Sequence, residues 1–134
     1  MKEKDIKDEA DDTGSSDALP GSSENRAYER FRVSLKVYIR LSDGSITHAQ
    51  AVDISMGGIY LEYGASAVQG KVFELAFDLP FADEFKRVLV KGKVVRSVVI
   101  GSRSLFGLAF VFTEFAKGAE DTLTKYLDLR KHNA

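Results

Sequence analysis

A mainly β fold, six short strands in an antiparallel barrel or sandwich followed by one C-terminal α-helix, is predicted by three features of this sequence. From Arg32 onward apolar and polar residues alternate with period two, the pattern of half-buried strands. Six such runs follow one another, each rich in Val, Ile, Leu or Phe and bounded by Gly, Pro, Ser or Asp, and closing them into a barrel removes the edges that short strands otherwise expose. Only the last stretch changes to helical spacing.

The first strand carries Val33, Leu35, Val37, Ile39 and Leu41 alternating with Arg32, Ser34, Lys36, Tyr38 and Arg40. Ser42-Asp43-Gly44-Ser45 supplies hairpin-turn residues, and the return strand runs from about Ile46 to Ile54. Met56-Gly57-Gly58 interrupts it before a short strand from Ile59 to Tyr63. Three more strands are expected at 72–79, 87–99 and 105–112. Phe115, Ala119, Leu123, Tyr126 and Leu127 then recur at helical spacing, which predicts one amphipathic helix over 116–131 packed on the barrel.

The 134 residues fit one domain. Residues 1–24 hold eight acidic against three basic side chains and few apolar ones, too little to offset the entropy of ordering, so they are expected to be a disordered acidic tail. Residues 25–134 hold sixteen basic against twelve acidic, making the domain mildly basic. The absence of Cys excludes disulfides, thiolate nucleophiles and Cys-based metal sites. The N-terminal MKEKDIKDEADD lacks the apolar core of a secretory signal, and no apolar stretch is long enough to span a bilayer. A soluble, cytoplasmic protein without membrane insertion is expected.

Two clusters could carry chemistry. Arg26 and Arg30, four residues apart just before the first strand, can converge on one anion, since the guanidinium fork donates bidentately to phosphate or to the O6 and N7 edge of guanine and also stacks on a base. Solvated charges at a tail-to-domain junction are the alternative. Asp53-Ile54-Ser55-Met56-Gly57-Gly58 sits where the second strand breaks. Its carboxylate can accept from the N1 and N2 donors of guanine, its Ser hydroxyl can bond beside it, and its glycines permit close approach. A bulge or turn capped by Asp and Ser is the alternative there.

Arg-x-x-x-Arg before the first strand and Asp-x-Ser-x-x-Gly at the end of the second, one hairpin apart, resemble the two-part signature of the PilZ domain family. The resemblance covers residues 25–131, including Val94-Val95-Arg96, Gly107-Leu108-Ala109-Phe110 and the closing helix. It implies a six-stranded antiparallel β-barrel of split-barrel type that binds cyclic di-GMP as a ligand, with no cofactor and no chemistry performed. It further implies that Arg26 and Arg30 clamp guanine edges and phosphates, that Asp53 and Ser55 contact guanine, and that Gly58 allows close approach. Gly57 and Asn25 flank the motifs. The expected function is a receptor that changes conformation on binding and signals through an unidentified protein target. A PilZ-like adaptor that binds no nucleotide is the alternative.

Other readings have less support. His48 and His132 are the only histidines, which leaves no recognisable metal cluster. A triad of Ser55, His48 and Asp53 lacks any nucleophile elbow. Arg96, Arg103, Lys86, Arg87, Lys91 and Lys93 form a basic later region that either extends the ligand pocket or faces solvent. A nucleic-acid-binding barrel is not expected, because a mildly basic domain behind an acidic tail gives it weak electrostatic support.

Overall fold

The computed structural model describes residues 28–101 and 104–132. The expected acidic tail, and with it Asn25 and Arg26, lies outside the described residues. Six strands form: β1 (Phe31–Arg40), β2 (Ile46–Ile54), β3 (Gly58–Tyr63), β4 (Val72–Pro80), β5 (Phe85–Ile100) and β6 (Leu105–Phe115), followed by α1 (Ala119–His132). Every paired neighbour is antiparallel. The ring order β1-β2-β3-β6-β5-β4 closes through pairing of β4 with β1.

Period-two alternation does the work anticipated from the sequence. Val37 and Ile39 of β1, Ile59 and Leu61 of β3, Leu75, Phe77 and Leu79 of β4, and Val88, Val90 and Val94 of β5 all point into the barrel and are buried. Their polar neighbours face outward. Phe73 and Phe110 meet edge to face inside, at 6.2 Å between ring centroids.

The strands depart from simple ladders at a few places. Register shifts separate Arg32 from Leu35 in the β1–β2 pairing and Ala51 from Asp53 in the β2–β3 pairing. Two more interrupt β5 against β6. Such bulges bend a strand and re-aim the side chains beyond them. Those in β1 and β2 lie next to Arg30 and Asp53.

The helix closes one mouth of the barrel with Leu123, Tyr126 and Leu127, and Tyr126 meets Phe81 edge to face at 6.2 Å. It starts at Ala119 and not at 116 as the spacing predicts. Gly118 has φ +82, outside the right-handed helical region, and the Ala119 N–H donates to the Ala116 carbonyl in a turn that precedes the helix. Phe115 therefore ends β6 instead of opening α1. Glu120 and Asp121 in the first turn and Arg130, Lys131 and His132 in the last complement the helix dipole.

Candidate ligand-binding site

The rim of the barrel beside α1 gathers the polar residues that the sequence singles out. Arg30 stands one position before β1, and Asp53 stands near the end of β2, past its bulge. The Arg30 Nη2 donates to Asp53 Oδ1 at 2.5 Å, and the two side chains are only 15% and 24% exposed. Two motifs separated by a hairpin thus meet in one charge-assisted bond.

Ser55 serves the turn that follows. Its Oγ accepts from the N–H groups of Gly57 (3.1 Å) and Gly58 (3.2 Å), and its own N–H donates to the Gly58 carbonyl at 2.9 Å. With Ser55 only 4% exposed, the hydroxyl proton is the one group of this side chain left for another acceptor. The Phe112 N–H donates to the Gly57 carbonyl at 2.9 Å, which ties the turn to β6. Gly57 lies under the Tyr28 ring, where a Cβ would stand 2.7 Å from the ring carbon. Gly58 presses against β6 so closely that a Cβ would overlap the Phe110 carbonyl oxygen.

Register extends the site around the outside of the barrel. Arg32 is opposite Asp53, Asp53 opposite Tyr60, Tyr60 opposite Ala109, and Ala109 opposite Arg96. Directly opposed residues share a face of the sheet, so these five form one row across five strands. Gly107 sits next to that row, and the Tyr60 hydroxyl occupies the space a Cβ there would need. Gly107 and Ala109 therefore make a low shelf on which the Tyr60 ring lies, with Arg96 exposed at its far side. Neither Tyr60 nor Arg32 belongs to a motif that stands out in the sequence. The bulge at Val52 hides the alternation that would have aligned Tyr60 with Asp53.

Burial pushes the Tyr60 hydroxyl above the ordinary tyrosine value of 10.0; the Arg96 charge opposes that shift, and Glu62 and Asp53 reinforce it. The phenol is therefore a neutral donor and acceptor at physiological pH. Because the folded value lies above the unfolded one, its contribution to stability is whole below about pH 10 and is lost as pH rises through the folded value. Phenolate absorbance should show a late-ionising tyrosine that Tyr60→Phe removes. An unchanged titration in that variant would contradict the enclosed hydroxyl.

The site therefore offers an acid, guanidinium groups on both flanks, an aromatic ring on a shelf and a glycine turn. That is a set for binding a polar, flat, anionic molecule. Among the described residues no group of three or more His, Asp or Glu could hold a metal ion. No described helix is long and apolar enough to cross a membrane.

Comparison with known proteins places this barrel in a class. The family model of the PilZ domain matches residues 24–129, and the chain belongs to the PilZ domain family. Among curated proteins nothing matches. Solved structures share the fold. The Bacillus subtilis inhibitor of motility MotI/DgrA is 24% identical with a TM-score of 0.70, over 81% of this chain and 52% of that one. The PilZ domain of Escherichia coli YcgR, solved with c-di-GMP, is 17% identical with a TM-score of 0.59, over 81% and 93%. Klebsiella MrkH, also solved with c-di-GMP, is 19% identical with a TM-score of 0.64, over 81% and 52%; MrkH is described as a c-di-GMP-dependent transcription regulatory factor. The chain spans about half the length of the Bacillus and Klebsiella proteins.

Proposed function

We propose that this protein is a cyclic di-GMP receptor that binds the nucleotide on the rim described above and signals through a protein partner. The observation that carries the proposal is the convergence of Arg30 and Asp53 from separate motifs, with Asp53 in one row with Tyr60 and Arg96. Cyclic di-GMP presents two phosphates and two guanines. Arg26 and Arg30 clamp phosphate and the guanine edge, Asp53 accepts from guanine N1 and N2, and the Tyr60 shelf with Arg96 receives the second half of the molecule. Ser55 shapes the turn through its acceptor oxygen and offers its proton. Gly57 and Gly58 keep the turn low enough for the ligand, and Asn25 flanks the arginine pair.

A protein partner fits another part of the barrel's outer surface better than a nucleic acid does. There Arg40, Glu74, Lys91 and Glu114 alternate in sign across four strands, with Arg40 and Glu74 3.0 Å apart and Lys91 and Glu114 3.6 Å apart. Their charges cancel instead of forming the basic stripe that tracks phosphates. Beside them lies a groove of about 270 Å³ lined by Tyr38, Ile46, Ala76 and Leu89.

Isothermal titration with cyclic di-GMP tests the proposal, with GTP, a linear dinucleotide and duplex DNA as controls. Saturable binding of the cyclic dinucleotide alone is the expected result and supplies the stoichiometry. No binding would return the protein to the nucleotide-free adaptor reading, and salt-dependent DNA binding would overturn the choice of partner.

A further inference from the structure

The helix reaches back to both halves of the ligand site, and one side chain makes the stronger link. Arg130, in the last turn of α1, donates Nη2 to the Arg32 carbonyl at 2.6 Å and Nη1 to the Tyr126 hydroxyl at 3.0 Å. Its guanidinium carbon lies 6.0 Å from the Phe31 ring and 5.9 Å from the Tyr126 ring, within cation–π range. One turn and a half earlier, the Thr124 hydroxyl lies 3.6 Å from the Met56 sulfur, inside the turn that follows Asp53.

What Arg130 holds is a short piece of backbone with few other ties. The β1–β2 register breaks between Arg32 and Leu35, so at the rim only Phe31 with Ile54 and Arg32 with Asp53 remain paired. Arg30, which grips Asp53, comes directly before this piece. A bond to the Arg32 carbonyl therefore sets where the Arg30 guanidinium can reach. Arg is suited to this post because its planar fork bonds two oxygens while its face rests on a ring, which a lysine ammonium does not reproduce.

We propose that Arg130 is a positioning residue for the ligand site, and that docking of α1 and affinity for cyclic di-GMP are coupled through it. This inference rests on the receptor reading above. Coupling of this kind is reciprocal. Ligand that fixes residues 28–32 tightens α1 on the barrel, and any partner that lifts α1 weakens the site by the same factor.

The test compares the whole 134-residue chain with Arg130→Ala, Arg130→Lys, the exposed-helix control Lys125→Ala and the buried-core control Val88→Ala. Two readouts are taken: cyclic di-GMP affinity, and amide exchange at residues 28–32 and along α1. Arg130→Ala is expected to lower affinity about 5-fold or more, to speed exchange at 28–32 without ligand, and to abolish ligand-induced protection of α1. Arg130→Lys should not rescue these effects. Lys125→Ala should match the parent, and Val88→Ala should lose thermal stability while binding normally. Parental affinity in Arg130→Ala, or affinity falling in Val88→Ala in step with stability, would overturn the inference. If Arg130→Ala does not fold, Arg130→Lys carries the same comparison, and parental behaviour there overturns it. If the parent binds no cyclic di-GMP, the receptor reading fails separately, and exchange at 28–32 in the ligand-free variants still decides whether Arg130 positions that segment.

Discussion

Arg30→Ala should weaken cyclic di-GMP binding by about 10- to 150-fold, the equivalent of one charged hydrogen bond at roughly 1.5–3 kcal/mol. Two effects act in the same direction. The variant removes a donor that the ligand phosphates or guanine edge would use. It also leaves the Asp53 carboxylate, otherwise paired at 2.5 Å, as an uncompensated negative charge facing an anionic ligand. Asp53→Ala should cost less, because it removes an acceptor for guanine while freeing Arg30 to turn fully to phosphate. The ordering Arg30→Ala worse than Asp53→Ala is thus a sharper test than either loss alone. Both variants should also lose some thermal stability, since each leaves one partner of a largely buried ion pair unpaired, so affinities are compared at a temperature where both are folded. The reverse ordering by titration calorimetry would mean that Asp53 and not Arg30 dominates recognition, and parental affinity in Arg30→Ala would remove Arg30 from the site.

Much of this arrangement is readable from residue order, and what is not has identifiable physical causes. Strand positions follow from alternation because burial on one face of a strand demands period two, and the buried Val37, Ile39, Leu75, Phe77 and Leu79 obey it. Spacing alone puts the start of α1 too early because helical periodicity continues through Phe115 in the sequence, whereas the positive φ of Gly118 prevents the helix from extending back to meet it. The candidate site divides in the same way. Arg30, Asp53, Ser55, Gly57 and Gly58 are local motifs and stand out in the chain. Their mutual bonding does not, because whether Arg30 and Asp53 pair with one another depends on the register between two strands. Tyr60, Arg32 and Arg130 are legible only once strand order and bulges are known. Arg130 is separated from the carbonyl it binds by 98 positions, and nothing in its immediate sequence distinguishes it from an ordinary basic residue at a helix C-terminus.

Two glycines next to the site should respond in opposite ways to the same added methyl group. Gly58→Ala places a Cβ onto the Phe110 carbonyl oxygen, with the Phe110 carbonyl carbon at 3.2 Å and the Val111 Cα at 3.4 Å. All three obstacles are backbone of β6, fixed by the pairing of Gly58 with Val111 and of Ile59 with Phe110. Relief requires the strands to part, so the cost should reach the top of the usual overpacking range, about 3 kcal/mol or more. For a domain of this size that is a fall in melting temperature of roughly 12–24 °C, and a melting temperature within a few degrees of the parent would show that β3 and β6 are not so closely apposed. Gly107→Ala meets instead the far end of the Tyr60 side chain and the Ile100 Cδ1 at 3.2 Å. A phenol can swing away where a carbonyl in a ladder cannot. Melting should therefore change much less than in Gly58→Ala, while the Tyr60 ring leaves its shelf and cyclic di-GMP affinity falls. Equal affinity in Gly107→Ala would take Tyr60 out of the ligand's path and confine recognition to Arg30, Asp53 and the glycine turn.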